Sequence, residues 1–357
     1  MISSTSQKGG GPTNIFLLSK NLNRNRFNIF FAMPDSKYFK SEIDKNIYIN
    51  ISERTIKIKD LINLKKFIKK NSIDIIHSHG KGASFLGRIV SFISRKPLIY
   101  TYHGIHLKCH NFFKRFLYIA FENLTGFIDA RKVYVSNSEQ KYANKKFFYN
   151  NSCIINNGVN NKSRLEYRKI SKKDKIKIPT IITICRFVKQ KNIKEILKIA
   201  ENLKHYKFVI LGDGPLFKEI KNIIKTKKIN NVILPGMIDD VFYYLYNSDV
   251  YLSTSLYEGL PISILEAMSI GLPIVATNVI GNSDTIENFK SGYLYDLGDY
   301  LNGVHYIKTL VENEDIKEKI GKQAFIRQRK LFSIELMLKK YEYLYIQVHK
   351  NSYNFVS

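Results

Sequence analysis

Ten short runs rich in β-branched and aliphatic residues recur along this chain, each followed by a longer stretch with helical spacing. The runs fall at 27–31, 73–77, 98–102, 132–135, 152–155, 180–184, 207–211, 232–234, 250–253 and 274–276. Each is about five residues of nearly unbroken apolar character, as in parallel strands covered on both faces. Between them, stretches such as 193–203 place Ile193, Ile196, Leu197, Ala200 and Leu203 on one helical flank. Alternating β and α dictates an α/β fold of doubly wound sheets, whose ligands bind at the carboxyl ends of the strands.

The alternation breaks once. Residues 160–177, NNKSRLEYRKISKKDKIK, are polar and lysine-rich with no apolar period, and Pro179 then opens a new strand. A chain of 357 residues has room for two domains. The expectation is a first domain over 1–165, a second over 178–335, and a C-terminal helix over 336–357 that returns toward the first. The start is unusual. Ahead of the glycine-rich stretch only Met1–Ser3 are available for a buried strand, so either the first strand is a stub or residues upstream of Met1 complete it, the latter being the expectation.

Composition narrows the partners. Lys and Arg number 57 against 30 Asp and Glu, a net charge of +27. The excess is uneven: residues 1–165 hold 28 basic and 9 acidic residues, and residues 166–357 hold 29 and 21. Such a surplus favours an anionic partner such as a phosphorylated substrate or an anionic lipid surface. Cys109, Cys153 and Cys185 form no spaced pair, which reads as a reduced, cytoplasmic chain. No charged-then-apolar leader and no unbroken apolar span of ~20 residues is visible.

The stretch SLYEGLPISILEAMSIGLPIVATNVIGNSDTI, residues 255–286, comes closest to such a span, yet it contains Glu258 and Glu266. The strand at 250–253 feeds a loop that carries Glu258, Gly259 and Leu260. Pro261 suits the first helical position, and a helix over 262–270 ends at Gly271. Glu266 then lies more than one turn into that helix. The helix start offers free N–H groups and a partial positive charge, which suit a phosphate. The two acids can meet opposite flanks of a ligand lying there. On spacing alone, Glu258 reads equally as a cap and Glu266 as a solvated helix residue.

A second group adds weight. The strand at 180–184 runs into CRFVKQKN, which places Arg186, Lys189 and Lys191 ahead of a helix. A planar guanidinium fork and an ammonium point charge match a pyrophosphate. FVILGDGPL, with Gly212 and Gly214, permits a tight turn but is a weak signal alone. VILPGMIDDV places Met237 in a glycine-containing turn, a plausible wall for a nucleobase. In the first half, GGGPTN precedes a helix at 15–22, and Gly10 and Gly11 could let backbone approach a phosphate or sugar. DIIHSHGKG and LIYTYHGIH each end a strand with histidine. His103 points to a ligand or a core role alike, whereas His77 and His79 read more simply as satisfied core histidines. His103, His106, Cys109 and His110 lie close in sequence, but no second paired element with ligand spacing accompanies them, so no metal is expected.

Taken in order, these motifs resemble family 4 of the retaining glycosyltransferases, over essentially the whole chain. The E-x7-E stretch with its GLPIVAT tail carries most of the resemblance. It implies a GT-B fold of two facing Rossmann-like domains with a cleft between them. It implies that Arg186 and Lys191 bind the donor diphosphate and Glu266 the ribose. Glu258, with Gly259 and Leu260 after it, would contact the donor sugar. His103 would sit near the reaction centre, and the Gly9–Gly11 segment would close over the phosphates. No cofactor or metal is implied beyond the nucleotide-sugar donor, with uridine diphosphate the commonest carrier. Two positions depart from the usual pattern: Ile280–Gly281 stands where a glycine pair is usual, and Asp284 where glutamate is.

The implied reaction is transfer to a hydroxyl of a glycan or polyprenyl-diphosphate-linked glycan, with retention, in bacterial surface polysaccharide synthesis. In 107–122, Phe112, Phe113, Phe116 and Leu117 flank Lys108, Lys114 and Arg115, a pattern for lying on an anionic membrane surface at its cytoplasmic face. An ordinary core-facing helix is the plainer alternative. Two rival functions remain: a nucleotide-sugar epimerase on the same fold, and a nucleic-acid binder, for which no basic-aromatic reading motif is present.

Overall fold

The computed structural model describes residues 1–5, 9–35, 47–105, 107, 111–160 and 178–353. Two compact units make up the chain: Met1–Asn157 with Glu335–Ser357, and Gly158–Ile334. The polar break at 160–177 lies almost wholly outside the described residues.

The first unit carries, among the described residues, strands β1 (Ile2–Ser3), β2 (Phe31–Met33), β3 (Tyr48–Asn50), β4 (Ile76–His79), β5 (Leu98–Thr101), β6 (Asp129–Tyr134) and β7 (Ser152–Ile154). They pair in parallel in the order β3-β2-β1-β4-β5-β6-β7. The second unit carries β8 (Thr180–Ile184), β9 (Lys207–Leu211), β10 (Val232–Gly236), β11 (Val250–Ser253), β12 (Ile274–Thr277) and β13 (Tyr293–Tyr295), in the order β10-β9-β8-β11-β12-β13. Each order reverses direction once, as in doubly wound nucleotide-binding sheets.

Alternation along the strands explains why both faces are covered. In the second unit Ile181, Phe208, Ile210, Val250, Leu252 and Val275 join Ile196, Ile220, Val304 and Ile307 of the flanking helices in one core. Their neighbours Ile182, Val209, Tyr251 and Ile274 are equally buried on the other face. Each such side chain contributes ~1.5–3 kcal/mol when fully buried. In the first unit Ile2, Ala32, Ile76 and Leu98 pack on Leu64, Ile68, Leu86 and Val90 of helices Ile58–Lys70 and Lys81–Ser94. The last helix, Ile334–Tyr353, supplies Tyr341 and Tyr345 to the same unit. There the Tyr345 hydroxyl lies 2.8 Å from His77 Nδ1, and the Tyr341 hydroxyl 3.1 Å from Thr101 Oγ1.

Several expected elements shift. The strand expected at 27–31 is β2, Phe31–Met33, because Arg26 and Phe27 N–H groups fold back onto the Asn23 carbonyl. The strand expected at 73–77 is β4, Ile76–His79. Ser72 at φ 48° closes the preceding helix and Ile73 N–H bonds back to Ile68. The glycine stretch is not a loop before a helix at 15–22: the helix is Gly10–Asn21, with Gly9 as its cap. Its first turn needs no internal N–H acceptor, so Gly10, Gly11 and Pro12 are tolerated there. Pro261 likewise stands one place earlier than expected, as the cap of helix Ile262–Ser269. β3 and β13 have no counterpart in the sequence reading.

Helix Phe112–Thr125 replaces the expected 107–122 and is held in an unusual way. Its one fully buried side chain is Glu122. Glu122 Oε2 accepts hydrogen bonds from Arg88 (2.8 Å) and from the Tyr102 hydroxyl (2.8 Å). Arg88 also grips Asp129 through two bonds of 2.9 and 2.5 Å. This buried bidentate network anchors the helix by charge. Its aromatic flank is left outside: Phe112, Phe113 and Phe116 are 84%, 66% and 59% exposed.

Candidate active site

In the second unit the strand order reverses between β8 and β11, and the loops after these two strands are bonded to each other. Thr254 Oγ1 donates to the carbonyls of Lys191 (2.9 Å) and Asn192 (3.1 Å). Leu256 N–H donates to Gln190 O (2.8 Å), and Gln190 Nε2 to Tyr257 O (2.8 Å). Asn192, in the left-handed region at φ 47°, turns the chain from the Lys189–Lys191 turn into helix Ile193–Asn202.

These bonds bring Lys191 to Glu258. Glu258 is 6% exposed, and its Oε1 is ion-paired with Lys191 Nζ while accepting from Ser255 Oγ at 2.6 Å. Its N–H donates to Ile280 O at 3.1 Å, and Thr277 Oγ1 holds Ser255 O at 2.6 Å. Gly281 completes the seat. At φ 87° it occupies a conformation that other residues resist, and an added Cβ would lie 2.7 Å from both Glu258 Cβ and Gly259 O. The departure Ile280–Gly281 therefore keeps glycine at the position that needs it. Asp284 Oδ2 accepts from Gly281 N–H at 3.3 Å.

Arg186 is half-buried at the end of β8. The two glycines of the GDG turn hold that strand end. A Cβ on Gly212 would fall 2.0 Å from Cys185 O, and one on Gly214 2.7 Å from Phe187 O. The weak G-x-G signal thus has a structural task beside Arg186. Burial pushes the neighbouring Cys185 thiol up to about 12, against the pull of the Lys191 charge.

Helix Ile262–Ser269 starts directly after this loop. The Tyr251 hydroxyl of β11 donates to Ile184 O (3.2 Å) and lies 2.8 Å from Ser263 Oγ, which ties the helix start to the end of β8. Burial pushes the Tyr251 hydroxyl well up, and the charge of Glu266, three residues beyond Ser263, adds to this. Glu266 itself is half-buried. Leu260 is buried, so it has only backbone to offer a ligand, and Gly259 is buried beside it. Met237 is exposed just past Gly236, whose carbonyl accepts from Gly212 N–H at 2.8 Å.

The first unit presents a separate cluster. Gly11 lies against His103: an added Cβ would stand 3.3 Å from His103 Cδ2, whereas Gly9 and Gly10 have open space. His79 Nδ1 is 3.1 Å from His103 Nε2. His77 is satisfied on both nitrogens, by Tyr345 and by Thr101 at 2.8 Å each, as a core histidine should be. His79 is not: its Nε2 is buried without a partner among the described residues. Burial pushes His103 down to about 4 and holds His77 and His79 well below the usual imidazole range, so all three rings are neutral near pH 7.

Among the described residues no group of three His, Cys, Asp or Glu side chains is arranged to hold a metal ion. His106, Cys109 and His110 lie outside the described residues. Sequence reasoning gave Ser255 no role, did not place Gly281 against Glu258, and read His79 as a satisfied core histidine. The one available signal for His79 was the H-x-H spacing on a strand, which puts both rings on one face.

The sequence matches the family Glycosyltransferase Family 4 over residues 8–162 and Glycosyl transferases group 1 over residues 163–327. It is 30% identical over 282 residues to the UDP-Gal:alpha-D-GlcNAc-diphosphoundecaprenol alpha-1,3-galactosyltransferase of Escherichia coli, covering 73% of this chain and 71% of that one. It is 25% identical over 363 residues to the capsular polysaccharide biosynthesis glycosyltransferase CapM of Staphylococcus aureus, covering 94% and 93%. Its fold is that of Anabaena Alr3699/HepE, crystallised with UDP and glucose, at a TM-score of 0.83, 17% identity and coverage of 97% and 98%.

Proposed function

Because this chain belongs to glycosyltransferase family 4, with the group 1 glycosyl transferase match in its second half, we propose that it moves a sugar, with retention, from a uridine diphosphate carrier to a glycan hydroxyl. The observation that carries the reading is the Lys191–Glu258 pair beside Arg186, at the carboxyl ends of β8 and β11 and next to a helix start. Cations and unsatisfied helix N–H groups at one point are what a diphosphate needs. The UDP and UDP-glucose complexes of Alr3699/HepE support the choice of carrier. The lipid-diphosphate acceptor named for the Escherichia coli relative supports a polyprenyl-diphosphate-linked glycan here.

In this reading Arg186 and Lys191 take the diphosphate, Glu266 the ribose, Glu258 with the Gly259–Leu260 backbone the sugar, and Met237 the base. His103 meets the sugar, and Gly10 and Gly11 approach the phosphates. The bond from the anomeric carbon to the β-phosphate oxygen breaks as the acceptor oxygen bonds to the same face of that carbon. The acceptor proton passes to the departing diphosphate. Fixed charge and positioning supply the rate, with no metal or cofactor.

The exposed flank of helix Phe112–Thr125, with Lys114 and Arg115, suits an anionic membrane surface on the cytoplasmic side. No helix among the described residues is long and apolar enough to cross a membrane. The test is a panel of nucleotides and nucleotide sugars scored by thermal stabilisation, followed by a transfer assay with a lipid-linked glycan. Release of an altered nucleotide sugar without acceptor would instead mark an epimerase.

A further inference from the structure

His79 and His103 come from adjacent parallel strands. His79 ends β4 opposite Thr101 of β5, and His103 follows two residues later on the same side. Their rings are nearly parallel, 16° apart, with His79 Nδ1 at 3.1 Å from His103 Nε2. Behind them His77, at 4.0 Å between ring centroids, is fixed by Thr101 and by Tyr345 of the last helix. In front, Gly11 closes on the Cδ2 edge of His103. The outer nitrogens, His79 Nε2 and His103 Nδ1, are both buried and have no hydrogen-bond partner among the described residues. A buried nitrogen left unbonded is costly, and marks a place held for a ligand or a strain kept for function.

From this geometry we infer that His79 is a positioning residue that fixes which ring proton His103 carries, and so what the His103 Nδ1 edge offers a sugar hydroxyl. The inference rests on the reading that His103 meets the transferring sugar. A bond between two neutral imidazoles contains one proton, so the pair has two arrangements. If His103 Nε2–H donates to His79 Nδ1, both rings carry their proton on Nε2. His103 Nδ1 is then a bare acceptor. If His79 Nδ1–H donates instead, both rings carry it on Nδ1, and His103 Nδ1 is a donor. The first arrangement uses the tautomer that neutral histidine favours in water. His103 therefore presents an acceptor, and the ligand group that fits it is a hydroxyl that donates. His79 does not touch the sugar. It sets tautomer and ring plane, as outer partners of reactive imidazoles do.

The test uses the full chain labelled with 15N in its histidine rings, as wild type, His79→Asn and His79→Phe. In wild type, His103 should show a protonated Nε2 and an unprotonated Nδ1. His79→Asn, whose side-chain carbonyl can accept the same bond, should keep that pattern. His79→Phe should lose it and populate both tautomers. With a UDP-sugar donor, His79→Phe should lower kcat about 10-fold, the low end for such partners, with KM for the donor little changed, and His79→Asn should restore most of kcat. Unchanged His103 nitrogen shifts in His79→Phe overturn the inference, as does a changed tautomer with wild-type kcat. If no nucleotide sugar binds wild type while the His103 tautomer still depends on His79, the glycosyltransferase reading falls and the coupling of the two rings stands.

Discussion

Lys191 and Glu258 lie 67 residues apart and meet as a part-buried ion pair, with side chains 19% and 8% exposed. The pair exists because the loops after β8 and β11 are bonded through Thr254, Gln190 and Leu256. Glu258→Ala leaves Lys191 without its carboxylate. Lys191→Ala leaves Glu258 buried with Ser255 as its one side-chain partner among the described residues. Losing a hydrogen bond to a charged group costs ~1.5–3 kcal/mol, and the second loss adds less than the first when the two residues act together. Urea unfolding of the two single variants and the double variant should therefore show clear coupling. Steady-state turnover should fall ~100-fold or more in Glu258→Ala, in the range for removing one preorganised group. Additive stability losses with normal turnover would dissociate the pair from the site.

Gly281→Ala tests the seat of Glu258. The new methyl meets Glu258 Cβ and Gly259 O at 2.7 Å, at φ 87°. Strain of this kind costs ~1–3 kcal/mol, so the melting temperature should drop by several degrees. Because the clash is against Glu258 itself, activity should fall at temperatures where the variant is fully folded. Full activity there would mean that the seat does not position the acid.

Stability should depend on pH through the buried histidines. The folded pKa of His103 is held at about 4 by burial, below its ordinary 6.5, and His77 and His79 shift in the same direction. The unfolded chain therefore binds more protons than the folded one between these values. The contribution is complete above pH 6.5 and is lost as pH falls toward 4. Unfolding free energy measured from pH 7.5 to 4.5 should decline, and His103→Asn should flatten the slope. An identical slope in that variant would show that His103 is protonated as readily folded as unfolded.

The outward face of helix Phe112–Thr125 should bind vesicles containing anionic lipid, more weakly at high salt. Replacing Phe112 and Phe116 by serine removes apolar contact without touching Glu122, the side chain that anchors the helix. The double variant should keep its melting temperature and lose most partitioning in a flotation assay. Equal binding to neutral and anionic vesicles would contradict the proposed surface.

Much of this architecture is visible in the residues themselves. β8 and β9 fall where apolar runs predict them because their apolar residues are buried on both faces of the sheet. β3 and β13 escape because three residues carry no usable period. β2 and β4 shift because turns at Asn23 and Ser72 consume apolar residues that look like strand. At the candidate site, charge and position after a strand mark Arg186 and Lys191, whereas Glu258 and Glu266 stand out through the family resemblance and not through spacing alone. Contacts between distant segments do not show in sequence: nothing local to Ser255 or Gly281 says that they seat Glu258. His79 hides for a further reason. A satisfied and an unsatisfied core histidine have the same sequence signature, and only the orphaned Nε2 separates His79 from His77.

The most direct measurement is isothermal titration of the intact chain with UDP and with UDP-sugars, for wild type and Arg186→Ala. Wild type should bind UDP without added metal, and Arg186→Ala should bind it ~10-fold or more weakly, as expected for loss of a charge-assisted contact to phosphate. No binding of UDP or any UDP-sugar to folded wild type, or equal affinity in the variant, would contradict the account.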